Sequence, residues 1–120
     1  MQKHILIADD SALIREMVKT ALTATLDIND YQEARNGHEA IERAEQAKPD
    51  LIILDVEMPE IDGITAAHRL KESMPKTPII LFTIHDLGQV TAKNLGVDAL
   101  VSISEGLGKL SDEVQLLLSL

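Results

Sequence analysis

Short apolar runs alternate with longer amphipathic stretches along the whole chain. Five runs predict strands: Ile5 to Ala8, a weaker one from Tyr31 to Ala34, Leu51 to Leu54, Ile79 to Phe82, and Ala99 to Val101. Near-continuous apolar runs, rather than alternating ones, are typical of parallel strands that have helices on both faces. The pattern therefore predicts a buried parallel sheet.

The stretches between these runs carry apolar residues at helical spacing. Five helices are predicted: one between Ser11 and Leu26 with Ser11 as N-cap, one after Asn36-Gly37, one after Asp62-Gly63, one between Leu87 and Leu95 ended by Gly96, and one carrying Leu107, Leu110, Val114 and Leu117. Strand and helix alternate five times, which predicts a doubly wound α/β fold with right-handed crossovers. We expect a single domain spanning residues 1–120.

Composition and charge narrow the class of protein. The 120 residues include 20 Asp and Glu against 11 Lys and Arg, a formal net charge of −9. Because phosphate contacts need a basic footprint, this charge disfavours direct binding to nucleic acid or to an anionic membrane. The absence of cysteine excludes disulfides and thiolate metal sites. With no signal peptide or membrane span in the sequence, we predict a soluble, cytoplasmic protein.

Carboxylates follow two of the predicted strands. Asp9 and Asp10 end the first strand, Asp55 ends the third, and Thr83 ends the fourth. The carboxyl ends of parallel strands meet at one edge of the sheet, where open α/β folds bind ligands. Three carboxylates held together repel one another, and a hard divalent cation with oxygen ligands relieves that repulsion, which predicts Mg²⁺. Asp55 could then act as a nucleophile towards phosphorus, with Thr83 donating to a phosphoryl oxygen.

A purely structural role is the alternative for each of these residues taken singly. Aspartates at strand ends commonly cap the next helix, and a β-branched threonine is ordinary at such a position. The convergence of carboxylates from two strand ends favours a site over this alternative. The histidines lack metal-ligand spacing and are interpreted mainly as surface residues, the last of them beside the site: His4, His38, His68 and His85.

The same strand-end motifs resemble the receiver domains of two-component response regulators, of the single-domain chemotaxis type, across essentially the whole chain. The resemblance is carried by Ile5 to Ser11, by Leu51 to Pro59 with Asp62-Gly63 after it, and by Ile79 to Thr83. It implies a flavodoxin-like sheet of order 2-1-3-4-5 with five helices. It also implies phosphorylation of one aspartate by a sensor histidine kinase.

The resemblance assigns a role to each candidate residue. Asp55 is implied as the phosphoacceptor, and Mg²⁺ is implied at Asp9, Asp10, Asp55 and the backbone carbonyl of Glu57. Thr83 is implied as the switch hydroxyl. Two further residues flank the path of an attacking water in the family and are interpreted as modulators of phosphoryl lifetime: Glu57 and His85.

The resemblance also implies partners. Besides the kinase, these are a downstream protein or effector domain, bound through the face of the fourth helix, fifth strand and fifth helix. The chain is expected to be a phosphoacceptor rather than an enzyme, apart from self-catalysed phosphotransfer and dephosphorylation.

Three positions depart from the family pattern. Ile103 stands where receivers carry a lysine that contacts the phosphoryl group, and Lys109, expected on the last helix, is no substitute. Ile84 replaces a small residue next to Thr83, so entry to the site is expected to be slow. Leu100 replaces the switch aromatic. These departures put switching in doubt, because the phosphoryl group loses a charge-assisted contact to the fifth strand.

Two other functions stay open at this point. The first is a receiver whose phosphorylation is silent or uncoupled by Ile103, acting as a constitutive binding module. The second is an aspartyl-nucleophile phosphatase using Asp55 with Glu57 as general acid, although 120 residues leave little room for a substrate-enclosing cap. The leucines from Leu116 to Leu120 exceed one core-facing stripe, so a homodimer through the last helix is a further hypothesis.

Overall fold

Five parallel strands form one sheet in the computed structural model, which describes residues 2–84 and 88–120. The strands are β1 (His4–Ala8), β2 (Asp30–Ala34), β3 (Leu51–Asp55), β4 (Ile79–Thr83) and β5 (Ala99–Ser102). Their order in the sheet is β2-β1-β3-β4-β5, and every neighbouring pair is parallel. The predicted doubly wound, flavodoxin-like fold is confirmed.

The helices follow the strands in strict alternation. They are α1 (Ala12–Leu26), α2 (Gly37–Ala47), α3 (Gly63–Ser73), α4 (Ala92–Leu95) and α5 (Leu107–Leu117), with a 3-10 turn at Ile103–Glu105. Side chains of Ser11, Asn36 and Asp62 cap the first three helices by accepting hydrogen bonds from the backbone N–H three residues later. The predicted cap at Ser11 is therefore confirmed.

The fourth helix is shorter than the apolar pattern predicts. Its predicted start, Leu87, lies outside the described residues. The helix begins at Ala92 because Thr91 and Asn94 form a capping box, in which each side chain bonds the other residue's backbone N–H. Gly96 ends the helix as predicted, with a φ of 72° that favours glycine.

Two hydrophobic clusters cover the two faces of the sheet. Ile5 and Ile7 of β1 point into the cluster beneath α1 and α5, whereas Leu6 and Ala8 point into the cluster beneath α2 and α3. Strand β3 divides its residues in the same way. Because helices cover both faces of the sheet, successive strand residues are apolar whichever face they point to. This explains the near-continuous apolar runs in the sequence.

The last helix carries more leucines than its core contact uses. Leu117 and Leu118 pack against the α1/α5 cluster, whereas Leu116 is 73% exposed and Leu120 is 50% exposed. The homodimer through this helix stays a prediction.

Candidate functional site

The register of the sheet brings the strand-end carboxylates together. Ala8 of β1 pairs with Leu54 of β3, so the next residues, Asp9 and Asp55, leave adjacent strands at the same level. Carboxylate oxygens of Asp9, Asp10 and Asp55 all lie within 4.8 Å of one another. Asp9 is buried, Asp55 is half-buried and Asp10 is exposed. The predicted convergence of these three side chains is confirmed.

Backbone N–H groups orient two of the three carboxylates. Oδ1 of Asp9 accepts a hydrogen bond from the backbone N–H of Ser11 at 2.8 Å, and Oδ1 of Asp55 accepts one from Glu57 at 3.3 Å. Neither carboxylate caps a helix, since Ser11 caps α1 and Asp62 caps α3. The helix-capping alternative is therefore wrong for Asp9 and Asp55.

The electrostatics of the cluster are unfavourable without a cation. Burial and the neighbouring Asp9 charge raise the pKa of Asp55 to about 7. Burial also raises the pKa of Asp9, and the charge of Asp10 adds to the effect. The donors are all hard carboxylate oxygens, two of them already oriented by backbone N–H groups. This set fits Mg²⁺ or a similar hard cation, which would remove the repulsion.

An open cleft of about 510 Å³ lies over the cluster. Its floor and rim combine acidic and apolar groups: Asp9, Asp10, Ser11, Ile14, Asp55, Glu57, Met58, Pro59 and Ile84. Ile84 lines the cleft and is 61% exposed, so its side chain lies at the entrance. The sequence predicts that this bulky side chain slows entry. Within the described part of the chain, the cleft residues include four acids and no base. The acidic groups favour a ligand that is cationic or that arrives with a cation.

The loop that carries Glu57 is held by two close backbone approaches. The Gly63 N–H donates to the Val56 carbonyl at 2.8 Å. A Cβ at Gly63 would collide with the backbone carbonyl oxygen of Asp55, and a Cβ at Gly37 would collide with that of Ile61. Only glycine permits this packing, which fixes residues 56–62 against the starts of α2 and α3.

The remaining predicted residues are distributed as follows. Thr83 is the last residue of β4 and is only 2% exposed. It lies on the strand next to Asp55, because Asp55 of β3 pairs with Phe82, the residue before Thr83. Glu57 is exposed at the cleft. His85 lies outside the described residues. His38 and His68 are exposed, as predicted, whereas His4 is half-buried with Nδ1 3.1 Å from Asp30.

The turn after β5 carries an aliphatic residue at the position where the resemblance implies a lysine. Ile103 begins the 3-10 turn and packs against the α1/α5 cluster. Lys109 lies on α5, as predicted, where its Nζ is 3.3 Å from Glu113. Leu100 is half-buried and packs against the cluster on the other face. Neither Ile103 nor Lys109 offers a cation to the cleft.

Sequence reasoning missed Arg15. Its Nη1 donates to the backbone carbonyl of Asp9 at 2.6 Å, and its Nε donates to Glu33 of β2 at 2.8 Å. The only signal in the sequence is its place one turn after the N-cap of the helix that follows Asp9 and Asp10. A cation one turn into a helix is too common a feature to indicate a site.

Comparison with known proteins identifies the family. The model of the response regulator receiver domain matches residues 5–114. The chain belongs to this family. The protein-glutamate methylesterase/protein-glutamine glutaminase of Nocardioides sp. is 40% identical over 98 residues, which are 80% of this chain and 27% of that protein. The uncharacterized transcriptional regulatory protein YxjL of Bacillus subtilis is 39% identical over 83 residues, 69% of this chain and 38% of that protein.

A solved receiver matches nearly the whole chain. The response regulator protein TrrA from Thermotoga maritima, solved in complex with Mg(2+)-BeF, is 31% identical with a TM-score of 0.87, covering 97% of this chain and 99% of TrrA. Receiver domains are phosphoacceptors that bind Mg²⁺ at an acidic pocket and interact with histidine kinases and effector domains. The chain spans about a quarter to two fifths of the two sequence relatives named above. In the described residues, no helix combines the length and apolar character needed to cross a bilayer.

Proposed function

We propose that this receiver accepts a phosphoryl group on Asp55 from the phosphohistidine of a sensor kinase, in a Mg²⁺-dependent reaction. The observation that carries the proposal is the convergence of Asp9, Asp10 and Asp55 in an open cleft at the carboxyl edge of the sheet. Of the two carboxylates at strand ends, Asp55 is half-buried and Asp9 is buried. Asp55 is thus more accessible than Asp9, and the resemblance to receiver domains selects it over the exposed Asp10.

The reaction is a displacement at phosphorus. A carboxylate oxygen of Asp55 forms the new P–O bond while the P–N bond to the kinase imidazole breaks, and the released nitrogen takes a proton from solvent. Asp9, Asp10, Asp55 and the backbone carbonyl of Glu57 would hold Mg²⁺. The bound ion supplies positive charge that keeps the carboxylates ionised and neutralises phosphoryl oxygens. The Glu57 N–H bond to Oδ1 of Asp55 leaves Oδ2 as the freer nucleophilic atom.

Other residues around the cleft would tune the reaction. The Thr83 hydroxyl, at the end of the adjacent strand, is suited to donate to a phosphoryl oxygen and so to couple β4 to phosphorylation. The exposed Glu57, together with His85, would affect the approach of a hydrolytic water. Ile84 at the entrance would slow exchange of phosphodonor and water alike.

The output of the switch would be a change in protein contacts on the face of α4, β5 and α5. We propose that residues 1–120 form one receiver domain acting in the cytoplasm. The acidic charge of −9 favours a partner with basic groups.

The end of β5 favours a second candidate function. Ile103 packs against the core, and the described cleft residues include no cation that would link a phosphoryl group to β5. A receiver of this kind would either take up no phosphoryl group or take one up at Asp55 without transmitting it, and would bind its partner in both states. In this alternative the α4, β5 and α5 face is a constitutive binding surface.

Intact mass after incubation with MgCl₂ and a small acyl phosphate or phosphoramidate tests the proposal. We expect one phosphoryl adduct that is absent from Asp55→Asn and absent when the metal is chelated. An adduct that persists in Asp55→Asn would overturn the assignment of the acceptor. If the wild type acquires no adduct but Ile103→Lys does, the silent receiver is the correct alternative. If neither does, the site assignment is wrong.

A further inference from the structure

Arg15 connects the acidic cluster to the neighbouring strand from behind the cleft. Its Nη1 donates to the backbone carbonyl of Asp9 at 2.6 Å, while its Nε donates to Oε1 of Glu33 at 2.8 Å. The Arg15 side chain is only 11% exposed. A planar guanidinium can bridge two acceptors in this way, whereas a lysine ammonium offers no fixed fork. The guanidinium is part-buried and held by two acceptors, an arrangement that constrains the side chain more than a single surface ion pair does.

We propose that Arg15 is a positioning residue that holds the Asp9-Asp10 turn in the geometry needed to bind Mg²⁺, an inference that rests on the proposed function. We call Arg15, Glu33 and the Asp9 carbonyl the Arg15 clamp. Groups that orient metal ligands are commonly needed for affinity although they never touch the metal.

The backbone of Asp9 is fixed on both sides by this arrangement. Its N–H donates to the carbonyl of Ala34 at the end of β2, at 3.0 Å, and its carbonyl is held by Arg15. Its side-chain Oδ1 accepts from the N–H of Ser11 at 2.8 Å. With these three bonds in place, the carboxylate of Asp9 has little freedom to turn away from Asp10 and Asp55. Orientation is thus established before a cation arrives.

The clamp also places positive charge near the cluster without occupying a carboxylate oxygen. Arg15 lies outside the residues that line the cleft, and it approaches the cluster through the backbone carbonyl rather than through a carboxylate oxygen. A cation that paired directly with the Asp9 carboxylate would occupy a metal ligand. The structure therefore separates charge compensation from coordination.

Lys19 offers a matched control. Its Nζ lies 2.9 Å from Oε2 of the same Glu33, one helical turn along α1, and it has no contact with Asp9 in the structure. Like the loss of Arg15, the loss of Lys19 removes one positive charge and an ion pair with Glu33. Lys19→Met also removes an ion pair with Glu16, at 2.9 Å. The link to the Asp9 carbonyl is made by Arg15 and not by Lys19.

The test is a MgCl₂ titration of the wild type, Arg15→Met, Arg15→Lys and Lys19→Met, followed through backbone amide chemical shifts. We expect the Kd for Mg²⁺ to rise by roughly tenfold or more in Arg15→Met. Arg15→Lys should fail to restore affinity, because charge without the fork does not hold the carbonyl. Lys19→Met should stay within about twofold of the wild type, since Lys19 does not bond to a proposed metal-binding residue.

A second readout needs no metal. In the metal-free protein, the amide resonances of Asp10 and Ser11 should shift in Arg15→Met and stay in place in Lys19→Met, because those amides report the Asp9 turn. Glu33→Gln leaves the sequence of α1 unchanged but loosens Arg15 from β2, so it should show the same shifts with smaller amplitude. This variant replaces Arg15→Met in the test if Arg15→Met does not fold.

The outcomes separate the two proposals. Equal Mg²⁺ affinity in Arg15→Met and the wild type, or equal losses in Arg15→Met and Lys19→Met, would overturn the clamp. If the wild type itself binds no Mg²⁺, the proposed function fails. The metal-free amide shifts then still decide whether Arg15 positions the turn.

Discussion

The carboxyl ends of β3 and β5 are built in opposite ways. At the end of β3 the backbone of Asp55 packs so closely on Gly63 that a Cβ has no room, and Asp62 caps the helix that follows. At the end of β5, Ser102 and Glu105 close a 3-10 turn, and an added Cβ at Gly106 or Gly108 would meet nothing within 4 Å. Close packing therefore fixes the backbone at the end of β3, whereas the backbone after β5 has free space around it.

The two strand ends would have different roles, one in accepting a phosphoryl group and the other in transmitting its presence to a partner. The end of β3 carries the proposed acceptor in a fixed backbone, with acids from β1 beside it. Under the proposed function, the end of β5 lies where a lysine would join the phosphoryl group to the proposed partner face of α4, β5 and α5, and it offers Ile103 instead. On that proposal, the arrangement needed to accept a phosphoryl group is more complete than the arrangement needed to transmit it.

The largest expected effect comes from filling the space behind Asp55. Gly63→Ala should lower the free energy of unfolding by about 3 kcal/mol, because backbone atoms of Asp55 and Val56 must move to admit the methyl group. Gly108→Ala is the matched control, since it also lies in the first turn of a helix. It should be neutral or stabilising by up to about 1 kcal/mol. Urea unfolding of both variants measures the difference, and equal effects would break the comparison.

The second prediction concerns the open end. Ile103→Lys should cost about 1 kcal/mol of unfolding free energy, because part of an aliphatic side chain leaves the α1/α5 cluster while the lysine stem retains some packing. In return, phosphorylation should shift amide resonances of β5 and α5 more strongly in this variant than in the wild type. Equal shifts in the two proteins would show that the wild type transmits without a lysine.

The strand pattern predicts a parallel sheet and the meeting of Asp9, Asp10 and Asp55, because the carboxyl ends of parallel strands reach one edge. The order of the strands is implied by the resemblance to receiver domains. The sequence could not predict Arg15, since the contact depends on the distance between α1 and the end of β2. The late start of α4 at Ala92 depends on a local capping box at Thr91 that competes with the apolar pattern. The packing of Ile103 against the core also depends on the path of the turn after β5.

The smallest prediction contrasts two carboxylates on strands that lie on either side of β1, Glu33 on β2 and Asp55 on β3. Hydrogen bonds from Lys19 and then Arg15 lower the pKa of Glu33, whereas burial raises that of Asp55. Because the pKa of Glu33 is lower in the folded state, its ionised carboxylate stabilises the fold at a pH above the ordinary pKa of 4.5. This stabilisation is lost as the pH falls through the folded pKa. Glu33→Gln should therefore cost a few tenths to about 1 kcal/mol at pH 7 and almost nothing at strongly acid pH. A cost that is independent of pH would show that its charge is irrelevant.

The central claim is that the Asp9, Asp10 and Asp55 cluster is an incomplete site that a divalent cation completes. The raised pKa of Asp55 means that the metal-free fold loses stability as the pH rises towards and through about 7. At pH 7.5 without metal, Asp55→Asn should therefore be more stable than the wild type, by roughly 1–2 kcal/mol.

Urea unfolding of the wild type and Asp55→Asn at pH 7.5, with and without saturating MgCl₂, tests this claim most directly. Mg²⁺ should stabilise the wild type more than the variant and close the gap between them, because it binds the complete carboxylate set of the folded state. The claim is contradicted if Asp55→Asn is less stable than the wild type without metal, or if Mg²⁺ stabilises both proteins equally.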